Sequence, residues 1–147
     1  MENNLLSTIS IDELKEKINR FYFSIGGFFG GYDSIEINKN DTPIKYIHSH
    51  SIKGNNDEYV ISKEQLNDFL EKIFNNKVLK WKNKYHDNNI LDGTQWKLEM
   101  DFKDLPKFDS YGSNEYPSNW KIIFTIINDY FPQMELNLYY DIEKDKS

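Results

Sequence analysis

The sequence predicts a single α+β domain over residues 1–147: one twisted antiparallel sheet of five or six strands, in the rough order αβββαββαβ, with helices packed on one face. Three observations predict it. Trp96, Leu98, Met100 and Phe102 alternate without interruption against Gln95, Lys97, Glu99 and Asp101, the period of a strand with one wet face. Leu66, Phe69, Leu70, Ile73 and Phe74 recur along one helical face behind the capping box Ser62-Lys63-Glu64-Gln65. The apolar supply is isoleucine, leucine, phenylalanine, tyrosine and three tryptophans with no alanine, a bulky set that suits pleated surfaces.

Taken in order, Ser10-Ile11-Asp12-Glu13 has capping-box spacing, and Ile11, Leu14, Ile18 and Phe21 continue as an amphipathic helix ending near Arg20. Phe21 to Ile25 and Tyr32 to Ile37 read as paired strands. Gly30-Gly31 supplies the tight turn between them, and Gly26-Gly27 suggests a bulge. After the polar break Asn38 to Pro43, Ile44 to Ser51 forms a third strand of an antiparallel meander. The Ser62 helix follows, and residues 75–90 form an irregular connection whose aromatics tuck inward. Asp92-Gly93 turns into the Trp96 strand, Asp104-Leu105-Pro106-Lys107 reverses the chain, and Phe108 to Tyr111 pairs back. Gly112-Ser113-Asn114 is a loop, and Pro117 occupies the first position of a helix through Trp120, Ile123, Phe124, Ile127 and Phe131 that Pro132 closes. Met134, Leu136, Leu138 and Tyr140 alternate as an edge strand before a charged, frayed tail, 141–147.

Composition excludes several functions. Without cysteine there are no disulfides, thiolate zinc sites or thiol nucleophiles. A net charge of −6 and a single arginine, Arg20, argue against direct nucleic-acid binding. No apolar run approaches the roughly 20 residues of a membrane span, and Glu2 stands where a secretory signal would carry a base, so a cytoplasmic location is expected.

Candidate chemistry is sparse. His48 and His50, two apart on a strand, share a face and present two imidazoles to one metal, with Asp33, Glu36 or His86-Asp87 as possible third ligands; two histidines facing solvent are the plainer account. Asp101-Phe102-Lys103 is the acid-x-lysine element of some metal-dependent nucleases, although alternating charge on a wet strand gives the same tripeptide. The Gly26 to Gly31 run leads into a strand rather than a helix, so it is no phosphate loop, and no Gly-x-Ser-x-Gly elbow supports a serine triad. No cofactor is expected. The tyrosines exceed what a core requires and suit a protein-binding face.

Asp92-Gly93 with Trp96, Leu98 and Glu99, followed by Gly112, Asn114, Tyr116-Pro117 and Trp120, resembles a DGxxWxLE…GxNxYPxxW segment in small α+β proteins of low-GC bacteria and their phages, for which no activity is established. The resemblance spans Phe21 to Phe131. It implies the same fold and carries no active site. By analogy with compact acidic proteins of that source, it implies an immunity or anti-defence (anti-CRISPR-like) factor that acts by stoichiometric binding. The expected function is therefore a non-enzymatic inhibitor that covers the basic surface of a toxin or defence nuclease with Tyr32, Asp33, Glu36, Tyr46, Glu99 and Asp101. The alternative is a metal-dependent hydrolase or nuclease using His48, His50 and Asp101 with Lys103.

Overall fold

The centre of the fold is strand β1 (Ile18–Gly27), which pairs antiparallel with β2 (Gly31–Asn38) on one side and β6 (Thr94–Phe102) on the other. The computed structural model describes residues 5–27, 30–52, 54, 56–86 and 93–134. Among them β3 (Lys45–His50), β4 (Asn56–Val60), β5 (Lys84–His86) and β7 (Phe108–Ser113) complete one seven-stranded sheet in the order β4-β3-β2-β1-β6-β7-β5. Only the β5–β7 pair is parallel. The α+β class therefore holds, with more strands than the sequence suggested. β4 and β5 are short edge strands whose polar residues carry little strand signal.

Helix α1 (Ile11–Lys17) starts where its capping residue predicts, Ser10 Oγ accepting from the Glu13 amide at 3.2 Å, but it stops three residues early. Ile18, Asn19 and Arg20 are drawn into β1, because pairing with β2 and β6 satisfies more backbone groups than one further helical turn would. The irregularity expected at Gly26-Gly27 lies at this entry instead, as a register shift between Ile18 and Arg20. Gly26 and Gly27 stay in register with Tyr32 and Gly31. A Cβ at Gly26 would come within 2.2 Å of the Gly31 carbonyl oxygen, so close strand approach explains this glycine. The two-residue turn expected at Gly30-Gly31 does not form: Gly31 opens β2 as the register partner of Gly27, with φ at +75°.

Helix α2 (Lys63–Asn75) forms the full capping box: the Gln65 amide donates to Ser62 Oγ, and the Ser62 amide donates to Gln65 Oε1. Helix α3 (Trp120–Tyr130) begins at Asn119 rather than at Pro117, whose carbonyl instead accepts from the Trp120 amide in the preceding turn. Met134, expected in an edge strand, lies in a single 3-10 turn at Pro132–Met134; Leu136, Leu138, Tyr140 and the 141–147 tail fall outside the described residues.

The core fills the space between the helices and the inward row Phe21, Phe23, Ile25, Ile35, Ile37, Trp96, Leu98 and Met100, all buried. Two aromatic clusters carry it. Trp81, Trp96 and Trp120 meet with centroids 4.8–5.9 Å apart, and Phe21, Phe69, Phe131 and Tyr46 form a chain of edge-on contacts at 4.8–5.1 Å. Trp81 comes from the 75–90 connection, tucked inward as expected, and its Nε1 donates to Asn119 Oδ1 at 2.6 Å.

Candidate functional site

The core is built on one face of the sheet, so the other is left without a covering layer among the described residues. Alternation sets its contents. Arg20, Tyr22 and Ser24 from β1 stand beside Tyr32, Ser34 and Glu36 from β2, and Gln95, Lys97, Glu99 and Asp101 from β6. β3 adds Ile47 and Ser49, β4 adds Glu58 and Val60, and β7 adds Asp109 and Tyr111.

Arg20 organises this face. Its Nε donates to Glu36 Oε2 at 2.5 Å, and its Nη1 donates to Glu99 Oε1 at 3.1 Å and Asp101 Oδ2 at 3.3 Å, so one guanidinium joins three strands. Its Cζ lies 5.0 Å from the centre of the Tyr22 ring. Burial works against the Arg20 charge, but Glu36 and Glu99 outweigh it and hold the guanidinium more firmly protonated than usual. Burial would likewise raise the Glu99 carboxyl. Arg20, then Lys107 and Lys97, more than offset this and hold it below the usual carboxylate range. The lysines approach Glu99 at 3.5 and 3.6 Å.

Beyond the network the surface turns to hydroxyls. Register sets Ser24, Ser34 and Ser49 side by side across β1, β2 and β3. They floor a shallow hollow of about 350 Å³ that Tyr22 and Tyr32 flank. Gly26 lies between Tyr32 and Gln95 in register, and its missing side chain lets the Tyr32 hydroxyl cross β1 to donate to Gln95 Oε1 at 2.6 Å. Tyr32 and Tyr111 are 39% and 41% exposed, and Val60 69%, which puts apolar contact area among polar groups.

The expected site residues divide between the two faces. Tyr32, Glu36, Glu99 and Asp101 share the open face. Tyr46 does not: it is buried, stacked on Tyr59, with its hydroxyl donating to Gln133 Oε1 at 2.8 Å. Asp33 also points to the helix side, because it alternates with Glu36 along β2, and its Oδ1 lies 2.9 Å from His48 Nε2. Both of those side chains are largely covered, 13% and 14% exposed.

His48 and His50 are therefore placed as expected relative to Asp33, whose register partner is His50, while Glu36 looks to the opposite side. His86 stands on β5 at the far edge of the sheet, and Asp87 falls outside the described residues. Among the described residues no three histidine or acidic side chains converge as metal ligands. Asp101 lies on the open face of β6, across the sheet from the histidine pair, and is held by Arg20; Lys103 sits in the following turn. The hydrolase constellation is thus spread over two faces.

Sequence reasoning missed Arg20 as the hub. Its one signal was being the chain's single arginine, at a position expected to end a helix. No helix among the described residues is long and apolar enough to cross a membrane. No protein-family model matches the chain, and no curated protein matches it either.

Proposed function

We propose that this protein is a non-enzymatic binding module, a cytoplasmic stoichiometric inhibitor of the immunity or anti-defence type, whose open sheet face covers a basic surface on a toxin or defence nuclease. The observation that carries this reading is the uncovered sheet face itself, where Tyr22, Tyr32, Tyr111, Ile47 and Val60 stand around a rigid hub of ion pairs. Tyrosines on strands offer contact area with a hydrogen-bonding tip at low entropy cost. Charges on the face are near balance, Glu36, Glu58, Glu99, Asp101 and Asp109 standing against Arg20, Lys45, Lys84, Lys97 and Lys107, within a chain of net charge −6. The net charge of the whole chain favours a basic partner and a salt-sensitive on-rate.

Because Glu36, Glu99 and Asp101 are already engaged by Arg20, reversing their charge would damage the fold as well as any interface. The tyrosines are the cleaner probes. Affinity capture from host cells is expected to retain one partner in stoichiometric amount with the wild type and with Ile122→Asp, a control at an exposed position on α3. The double variant Tyr32→Asp/Tyr111→Asp is expected to lose the same partner by about tenfold or more. Retention by the double variant, or loss with the α3 control, would overturn the reading.

A further inference from the structure

A cleft of about 290 Å³ opens on the helix side, between the end of α1, the β2–β3 connection and the first turns of α2. Its floor is apolar. Leu66 and Leu70 on α2 are 3% and 2% exposed, and Ile44 is half-buried. Its rim is cationic, and the cations differ in how they are compensated. Lys15 is taken by Glu71, 2.5 Å away, with Asp12 at 3.7 Å. Lys39 has no carboxylate partner among the described residues; its Nζ donates to the carbonyls of Lys15 and of Glu16, the latter at 3.1 Å. Lys63, at the first position of α2, makes no ion pair among the described residues. Burial first, and then the charge of Lys63, hold the Lys39 amine below the usual lysine range despite Glu16. The positive end of the α2 dipole adds to this field, and Glu64 is the one acid on the rim. Two lysines without an ion pair among the described residues thus line one largely apolar cleft, with Glu64 the single acid beside them.

We propose that this cleft binds a small amphiphilic carboxylate, its head between Lys39 and Lys63 and its alkyl tail along Ile44, Leu66 and Leu70. At about 290 Å³ the cleft lies at the small end of ligand pockets, which suits a short-chain carboxylate such as octanoate. An anion there supplies the charge that Lys39 and Lys63 lack, and the tail packs over half-buried Ile44 on the apolar lining.

Calorimetric titration of the full chain with octanoate, 1-octanol and inorganic phosphate tests this directly. Octanoate is expected to saturate one site, with the neutral alcohol and the tail-less phosphate each at least about tenfold weaker. Lys63→Glu keeps the fold, since an acid in the first turn of α2 suits the dipole, and is expected to lose octanoate by about tenfold or more. In that variant the Lys39 amine, followed by NMR, is expected to titrate higher than in the wild type. Absence of saturable octanoate binding, equal affinity for octanol or for phosphate, or indifference to Lys63→Glu would each overturn the assignment. The open sheet face is not involved, so capture of a protein partner is expected to survive Lys63→Glu.

Discussion

Glu99 illustrates how one side chain reports on the whole open face. A carboxyl on an isolated wet strand would titrate normally; here burial pushes it up and the Arg20 guanidinium, with Lys107 and Lys97, pulls it further down. The folded-state value lies below the unfolded one, so the ionised network stabilises the fold fully above about pH 4.5 and loses that contribution as pH falls through the depressed folded value. Urea melts of the wild type at steps from about pH 5 to pH 3 are expected to show falling stability, and Glu99→Gln is expected to fall less steeply over this window, from a lower starting point at pH 7. Identical slopes would mean that Glu99 does not feel Arg20 in solution. The same reasoning separates the acids named from the sequence. Glu36, Glu99 and Asp101 brace a shared hub, whereas Asp33 serves His48 on the other side of the sheet.

Among the elements, the β6–β7 hairpin shows what its motif residues are for. Gly93 packs against Asn114 so closely that a Cβ would sit 1.4 Å from Asn114 Oδ1, the atom that accepts from the Thr94 amide. Asn114 itself holds φ at +61°, a conformation asparagine tolerates better than most residues. Trp96 Nε1 donates to the Glu115 carbonyl, and the Trp120 ring lies between Trp96 and Tyr116 at 4.8 and 4.9 Å. The segment from Gly93 to Trp120 is therefore one packed unit whose conspicuous residues answer to each other. Gly112 completes it: a Cβ there would fall 2.3 Å from Trp96 Nε1 and 2.7 Å from the Glu115 carbonyl oxygen. Gly112→Ala is expected to cost about 1–3 kcal/mol through overpacking, whereas Gly30→Ala, with open space around the added methyl, stays within about 0.5 kcal/mol. Chemical denaturation followed by tryptophan fluorescence distinguishes the two. β6 was readable because its alternation is complete; β7 was readable only to Tyr111, because Ser110 and Gly112 on its inward row carry no apolar signal, and Gly112 and Ser113, expected in a loop, continue the strand. β4 and β5 were not readable: five and three residues on the sheet edges owe their pairing to neighbours already in place.

For the whole molecule, the strand order places β1 and β6 in the interior of the sheet and β4 and β5 at its margins. Hydrogen exchange is expected to be slowest at the amides of Phe21, Phe23 and Leu98 and to quicken toward Tyr59 and Tyr85, since central ladders open only with the global fold. Uniform protection across the sheet would contradict the order. The same architecture leaves one face of the sheet open to solvent among the described residues. Sequence alone determined the α+β class, the helix at Ser62 and the inward row of the Trp96 strand, since periodicity and capping are local properties written in consecutive residues. Tertiary structure alone decided which charges became partners. Arg20, Glu36 and the Glu99–Asp101 pair lie far apart in the chain and meet only through strand register, and no local rule specifies a contact that three hydrogen-bonded strands create.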